Sequence, residues 1–394
     1  MRVALVTESF LPTLNGVTTS VCKVARCLRD LGHQVRIIAP GPGPSTYEGI
    51  TVHGLPSVPV RRFPTGVPTP ALRRAIDDFA PDVVHAASPF VLGARALQLA
   101  HRTGTPAVAI YQTDMPSYLA QHGGALLGAG VAEASWHWIR RMHGHADLTL
   151  APSSATLAEL RARGVPRTDL WGRGVDTALF SPRRRADPEG AALRRALAPG
   201  GEVLLGYVGR LAPEKELWRL AEVARIPGTR LVVVGDGPSR AEVGALLTEA
   251  VASMPGRPNR SPLFLGRQSG ADLARAYAAF DVFVHTGTRE TFGQTLQEAA
   301  ASGVPVVAPA RGGPLDVVDH GRTGLLFDPD VPGSLHQHVD ALVGDGTWRA
   351  ALGAAAEQAV RGRSWESLTT QLVAHYERAC TDRTARSART VPAA

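Results

Sequence analysis

The sequence predicts an α/β protein with two Rossmann-like domains, each built on a parallel sheet that helices cover on both faces. A length of 394 residues is enough for two domains at roughly 100–200 residues each. Short, continuous apolar runs alternate with helical stretches, as is typical of parallel strands buried on both faces. The alternation occurs twice along the chain, which predicts one sheet in each domain.

The first alternating series predicts an N-terminal domain over residues 1–172. A helix is expected over 17–31, because its apolar residues have helical spacing and Gly32 is a natural C-cap. The strands are expected where short apolar runs stand between helical stretches. They are predicted at 3–6, 35–39, 83–85, 107–111 and 148–151.

A segment rich in Arg, Pro and Asp separates the two series and predicts a linker over 173–188. The second domain is expected over 189–364, followed by a helix over 365–380 and a flexible tail over 381–394. The carboxyl ends of both sheets are expected to face a central cleft, where ligands bind in such folds. The strands of the second domain are predicted at 203–208, 231–235, 263–265, 282–285 and 304–308.

Composition excludes several classes of protein. With 44% hydrophobic and 20% charged residues, the chain is neither disordered nor fibrous. Three cysteines without metal-ligand spacing predict neither a disulfide framework nor a zinc site. The net charge of +7 permits anionic partners, but the clustered arginines lack interleaved aromatic residues, so no nucleic-acid partner is predicted.

The cations are almost all arginine, and the two lysines are Lys23 and Lys215. Lys215 lies five residues after Arg210 in a segment that follows a strand and is expected to enter a helix, with Pro213 in its first turn. A guanidinium fork and an ammonium point charge at this spacing can flank a pyrophosphate. Near the N-terminus, Gly16 lies between a strand and a helix, where free backbone N–H groups can meet a phosphate.

Two glutamates stand eight positions apart in the second domain. Glu290 is expected in a loop after a strand, and Glu298 two turns into the following helix. Thr291 and Gly293 would present backbone N–H groups to anionic oxygens at the start of that helix. An ionised Glu298 can accept hydrogen bonds from ribose hydroxyls.

Two other motifs predict no chemistry. The segment that begins at Gly235 imitates a dinucleotide fingerprint but lacks its third glycine, so we interpret it as a tight strand-to-helix turn. Asp328 and Asp330 resemble a pair of metal ligands, but they stand in a proline-rich loop and predict a surface turn. Neither motif is therefore assigned a metal or a dinucleotide.

In order along the chain, these motifs resemble the large family of retaining glycosyltransferases with the two-domain GT-B fold, from Met1 to about Cys380. The nearest likeness is to bacterial GDP-mannose-dependent α-mannosyltransferases, carried by segments 111–114, 285–287 and 312–316. Glycosyltransferases of aminoglycoside antibiotic pathways are also similar. The resemblance implies that the C-terminal helix packs back on the N-terminal domain. The segments that carry the family resemblance are 7–17, 173–176, 209–215, 235–238, 290–298, 301–307 and 312–313.

The resemblance implies a role for each matching residue. A nucleotide-sugar donor (GDP-mannose or a UDP-hexose) would be the co-substrate, and no metal and no cofactor would be needed. Arg210, Lys215 and Glu290 would be catalytic. The implied donor-binding residues are Gly16, Arg210, Lys215, Arg267, Glu290, Thr291, Phe292, Gly293 and Glu298. The implied acceptor-side residues are Glu8, His85, Gln112 and Asp114.

One position departs from the family pattern, because many relatives have His where this chain has Gln112. An amide cannot act as a general base. Either His85 contributes, or no protein base is needed because the departing phosphate takes the proton of the acceptor. The second route suits the retaining mechanism that the resemblance implies.

Several alternatives stay open from the sequence. A nicotinamide oxidoreductase and a non-catalytic nucleotide-sugar-binding protein are the rival functions. The acceptor is a lipid or a small natural product such as an aminocyclitol, and the oligomeric state is not determined. The apolar run at the N-terminus breaks at Thr7 and Glu8, too early for a signal peptide, so we expect a cytoplasmic protein. Peripheral association with the inner face of the membrane remains open.

Overall fold

A computed structural model describes residues 1–60, 63–87, 89–112, 128–254 and 261–390. The chain divides into two compact units. Unit 1 consists of Met1–Arg173 and Trp365–Ala394, and unit 2 of Gly174–Ser364. No described helix is both long and apolar enough to cross a membrane.

Unit 1 is built on an eight-stranded sheet, parallel except for one antiparallel edge strand. Its order is β10-β9-β8-β7-β1-β2-β4-β3, and a separate antiparallel ribbon pairs β5 with β6. The strands are β1 (Arg2–Thr7), β2 (Gln34–Pro40), β3 (Thr46–Tyr47), β4 (Ile50–Leu55), β5 (Ser57–Val60), β6 (Phe63–Gly66), β7 (Val83–Ala87), β8 (Ala107–Ile110), β9 (Leu148–Ala151) and β10 (Thr168–Leu170).

Alternate residues of β1 enter two different apolar cores. Val3 and Leu5 belong to one buried cluster, while Ala4 and Val6 belong to the other. Successive side chains of a strand point to opposite faces, so helices must cover both sides of this sheet. Among the described residues of unit 1, the helices before the C-terminal one are α1 (Gly16–Asp30), α2 (Pro70–Asp77), α3 (Leu92–Thr103), α4 (Gly128–His143) and α5 (Ser154–Ala162).

The C-terminal helix, α14 (Trp365–Thr390), belongs to unit 1. Its buried residues Leu372 and Tyr376 share the core cluster of Val3 and Leu5. This confirms the expected packing on the N-terminal part of the chain. The helix is ten residues longer than the predicted 365–380, because Arg383 and Arg386 ion-pair with the buried carboxylate of Asp147 and hold the final turns.

Unit 2 is built on a six-stranded, fully parallel sheet of order β13-β12-β11-β14-β15-β16. Two buried clusters again cover opposite faces of the sheet, with Leu204 in one and Leu205 in the other. The strands are β11 (Val203–Val208), β12 (Thr229–Val234), β13 (Leu263–Gly266), β14 (Val282–Val284), β15 (Val306–Pro309) and β16 (Gly324–Phe327).

The described helices of unit 2 lie before, between and after these parallel strands, and those between strands make the connections that parallel pairing requires. They are α6 (Pro188–Leu197), α7 (Leu220–Ala224), α8 (Arg240–Ala252), α9 (Gly270–Ala279), α10 (Gln294–Ala301), α11 (Pro314–Val317), α12 (Ser334–Gly344) and α13 (Gly346–Val360). The two parallel sheets confirm the predicted α/β fold with Rossmann-like units.

Two local expectations were wrong. The chain after Arg210 does not enter an α-helix at Pro213, although Pro213 begins a short 3-10 helix. It forms two 3-10 turns, Pro213–Lys215 and Leu217–Arg219, because Glu216 between them has a left-handed backbone with φ 49°. In addition, α10 begins at Gln294, so Glu298 lies little more than one turn into the helix, not two.

Candidate active site

Lys215 and Glu290 form an ion pair in unit 2. The Nζ atom of Lys215 lies 2.8 Å from Oε2 of Glu290, and their side chains are only 25% and 19% exposed. Lys215 comes from the loop after β11 and Glu290 from the loop after β14, so both follow the carboxyl ends of neighbouring strands. This edge is where ligands bind in open α/β sheets.

The carboxyl group of Glu290 is held in its ionised form. Burial raises its pKa, but the charge of Lys215 and the hydrogen bonds donated by Lys215 and the Phe292 backbone outweigh burial. The pKa of Glu290 is lowered to about 2. An ionised carboxylate accepts hydrogen bonds only, which suits it to bind hydroxyl groups.

His285 directly follows β14 and lies close to Glu290. Its side chain is 2% exposed, and Nε2 lies 3.9 Å from Oε2 of Glu290. Burial lowers the pKa of His285 to about 4, so the imidazole is neutral at pH 7. In the sequence, His285 stood out only as part of the family likeness.

Close contacts between backbones shape the loop that carries Glu290. The N–H of Gly313 donates to the carbonyl of Glu290 over 2.8 Å. A Cβ at Gly312, which has φ +68°, would lie 2.7 Å from that carbonyl, and a Cβ at Gly313 would lie 2.4 Å from the Phe292 carbonyl. Side chains at these two positions would therefore push the loop away, which gives the Gly-Gly pair a physical role.

The loop continues through Phe292 and Gly293 into α10, which carries Glu298. Phe292 is buried, and Gly293, with φ +99°, is the N-cap of α10. Glu298 accepts a hydrogen bond of 2.8 Å from the hydroxyl of Tyr277, a fully buried residue of α9. Tyr277 orients one carboxylate oxygen of Glu298, and nothing in the sequence pattern marked that tyrosine.

Arg210 and Arg267 do not share the contacts of the Lys215–Glu290 pair. The guanidinium of Arg210 is 60% exposed and lies 3.7 Å from Glu214. Arg267 is exposed on the turn after β13. The backbone of Gly235 links the turns after β12 and β13, since its N–H donates to the Gly266 carbonyl over 2.8 Å.

In unit 1, Gly16 opens α1 next to a guanidinium. The side chain of Asn15 caps the helix by accepting from the N–H groups of Val17 and Thr18. A Cβ at Gly16 would lie 3.3 Å from Nη1 of Arg173. Nη2 of Arg173 donates to Oε1 of the buried Gln112 over 2.7 Å. In this structure the amide oxygen of Gln112 therefore accepts a hydrogen bond from Arg173.

Besides Gln112, the acceptor-side candidates Glu8 and His85 have well-defined contacts inside unit 1. Oε1 of Glu8 accepts from the backbone N–H groups of Phe90, Val91 and Gly93 over 2.7–2.9 Å, at the start of α3. Burial raises the pKa of Glu8, against the lowering effect of these hydrogen bonds.

His85 is buried, and its Nδ1 lies 2.6 Å from the hydroxyl of Tyr376 on α14. Burial lowers its pKa to about 3, so the ring is neutral at pH 7. Asp114 lies outside the described residues.

Among the predicted donor-side residues, the structure brings together Lys215, Glu290 and the Phe292 backbone. It adds Thr286, whose hydroxyl donates to the Lys215 carbonyl over 2.7 Å, and Thr288, which contacts Glu216. Within the described ranges, no group of three or more His, Cys, Asp or Glu side chains could hold a metal ion.

Two family profiles match successive parts of the chain. The profile described as Glycosyltransferase Family 4 matches residues 14–179, and the one described as Glycosyl transferases group 1 matches residues 191–359. A GDP-mannose-dependent alpha-mannosyltransferase of Mycobacterium tuberculosis is 44% identical over 96% of both chains. Its namesake in Mycolicibacterium smegmatis is 43% identical over 98% of this chain and 100% of the relative.

The fold has solved relatives among GT-B glycosyltransferases. The crystal structure of Anabaena HepE in complex with UDP matches 96% of this chain and 100% of its own, with a TM-score of 0.75 at 21% identity. This likeness confirms the GT-B fold. On the sequence matches above, the chain is a glycosyltransferase and belongs to the Glycosyl transferases group 1 family, with a Glycosyltransferase Family 4 domain at its N-terminal side.

Proposed function

We propose that the chain transfers a mannosyl unit from GDP-mannose to an acceptor hydroxyl, with retention and without a metal, to give an α-linkage. The observation that carries the proposal is the shielded Lys215–Glu290 ion pair at the carboxyl edge of the unit 2 sheet. The identity of 40% or more to three GDP-mannose-dependent relatives favours this donor over a UDP-hexose. Neither an oxidoreductase nor a non-catalytic binding protein has comparable support.

In this proposal the donor is bound through unit 2. Lys215 and Arg210 contact the pyrophosphate, and the ionised Glu290 accepts hydrogen bonds from hydroxyls of the sugar. The loop of Thr291, Phe292 and Gly293 supplies backbone N–H groups. Glu298, oriented by Tyr277, accepts from the ribose, and the base lies near Arg267. Separately, Gly16 at the amino end of α1 in unit 1 offers its backbone N–H to a phosphate.

The reaction needs little covalent chemistry from the protein. The bond from the anomeric carbon to the phosphate oxygen breaks, and the acceptor oxygen forms its bond on the same face. The departing phosphate takes the acceptor proton, so an amide at Gln112 is compatible with turnover. Lys215 and Arg210 stabilise the charge that develops on the leaving group, and such a contact is typically worth ~10²–10³ in rate.

The acceptor side favours a lipid over an aminocyclitol. A polycationic aminocyclitol needs free carboxylates, but Oε1 of Glu8 already binds three backbone amides. Apolar side chains are exposed on the loops after the neighbouring strands β1 and β7, with Leu14 65% and Phe90 38% exposed. An apolar tail gains by covering such surface.

Mass spectrometry of the products tests donor and acceptor together. The chain is incubated with GDP-mannose, UDP-glucose or UDP-galactose, against a glycolipid panel and an aminocyclitol panel. We expect a hexosyl mass increment with GDP-mannose and a lipid. Increments only with UDP-sugars, or only on aminocyclitols, would contradict the respective half of the proposal.

Vesicle binding separates the two acceptor classes without turnover. A lipid-acting enzyme of net charge +7 should sediment with anionic vesicles and be released by salt. Leu14→Ser should weaken this binding, while Leu170→Ser, at another exposed leucine of unit 1, serves as the control. Equal loss in both variants would argue against the assigned surface.

A further inference from the structure

Glu216, directly after Lys215, has a backbone conformation that few side chains adopt. Its φ is 49° and its ψ is 43°, in the left-handed region where a Cβ meets steric repulsion and glycine is favoured. A glutamate here points to a task for its carboxylate, because glycine would form the same turn without strain.

The carboxylate of Glu216 joins three loops of unit 2. Oε1 accepts from the Thr288 N–H over 3.4 Å and from the Thr288 hydroxyl, in the loop after β14. Oε2 lies 2.9 Å from Nε of Arg219, whose Nη1 donates to the carbonyl of Pro329 in the loop after β16 over 3.1 Å. The two charged side chains are 21% and 15% exposed, so water screens this ion pair less than a surface pair.

Two of these loops, after β11 and after β14, also carry the Lys215–Glu290 pair. Glu216 is next to Lys215, and Thr288 stands two residues before Glu290. The hydroxyl of Thr286 adds a second tie, to the Lys215 carbonyl. The contact between Glu216 and Thr288 therefore fixes how far apart the backbones behind Lys215 and Glu290 are.

We propose that Glu216 is a positioning residue of the transferase, which sets Nζ of Lys215 and the carboxylate of Glu290 at the spacing that the reacting donor needs. The inference rests on the proposed function, which assigns Lys215 and Glu290 to the donor. Glu216 acts through these two residues and contacts no substrate itself. A displacement of about 1 Å in such a site can cost on the order of 10²-fold in rate.

Two substitutions of Glu216 distinguish the effect of its carboxylate from the effect of the strained backbone. Glu216→Ala and Glu216→Gly both remove the carboxylate, but only glycine relieves the left-handed strain. We expect both to lower kcat ~10- to 100-fold with the KM for GDP-mannose nearly unchanged. The glycine variant should melt a few degrees above the alanine variant. Glu216→Gln, whose amide oxygen can still accept from Thr288, should recover part of kcat.

Thr288→Val removes the hydroxyl that donates to Glu216 and so tests the same contact from the loop after β14. It should lower kcat as Glu216→Ala does, and the double variant should lose little more than the worse single variant, because both remove one interaction. Glu48→Gly is the matched control. Glu48 is also a left-handed glutamate, with φ 45°, but it is exposed in a turn of unit 1. The kcat of the Glu48→Gly variant should equal that of the wild type.

Each outcome bears on one of the two proposals. A wild type that transfers and a Glu216→Gly variant with the same kcat would overturn the positioning role, because only the turn would matter. Additive losses in the double variant would overturn it as well. A wild type that turns over no donor would overturn the proposed function, and this inference with it.

Discussion

Replacing Glu290 with glutamine tests how much the Lys215–Glu290 pair contributes to the free energy of unfolding. The substitution keeps the size of the side chain and removes the charge, leaving the largely buried ammonium of Lys215 without its ionised partner. The pKa of Glu290 falls from 4.5 to about 2 in the folded protein. At about 1.4 kcal/mol for each pKa unit, the ionised carboxylate contributes about 3 kcal/mol at pH 7.

The pH dependence has a definite sign. Because the pKa is lowered on folding, the contribution is fully present above the unfolded pKa and is lost as the pH falls through the folded pKa. The difference in free energy of unfolding between wild type and Glu290→Gln should be constant above about pH 5.5. It should fall to about three quarters of that value at pH 4.

Calorimetry of the full chain measures this difference. A loss of about 3 kcal/mol should lower the melting temperature of unit 2 by roughly 6–12 °C at pH 7. Glu249→Gln, at an exposed position of α8, is the control and should shift it by less than about 2 °C. A Glu290→Gln variant that melts with the wild type, or a difference that grows on acidification, would refute the reasoning.

Three further changes probe the rest of the molecule. Lys215→Ala should lower kcat with GDP-mannose by ~10²–10³, and Lys23→Ala, at the other lysine, should leave it unchanged; equal rates in both variants would remove Lys215 from the site. Tyr376→Phe takes the hydroxyl from the buried Nδ1 of His85 and should destabilise unit 1 by about 1–3 kcal/mol in thermal unfolding; an unchanged melting temperature would mean that the contact is dispensable. Asp147→Asn removes the carboxylate that pairs with two arginines of α14, so limited proteolysis should cut the end of this helix faster; unchanged cleavage would argue against these ion pairs as its anchor.

The donor-side residues were predictable because short motifs carry them. Lys215 stood out in a chain with two lysines, and Glu290 stood out beside a glycine-containing loop. Their direct contact was not predictable, because it joins residues 75 positions apart through the order of β11 and β14 in the sheet. Burial around that contact, which lowers the pKa of His285, depends on packing and not on local sequence.

The acceptor-side predictions show the opposite case. Glu8, His85 and Gln112 were selected by their matching positions in the chain, but each has a defined partner within unit 1: the start of α3, Tyr376 and Arg173. Tyr376 lies 291 positions from His85, so no local pattern could pair them. The roles of these residues toward an acceptor stay predictions.

The sequence by itself determined the α/β class, the two parallel sheets and the family, because periodicity, glycine turns and ordered motifs are local properties of the chain. Only the tertiary structure decided that Glu216 adopts a left-handed backbone, that its carboxylate joins the loops after β11, β14 and β16, and that α14 extends to Thr390. Those features depend on contacts between distant segments, whose partners are chosen by the strand order and by burial.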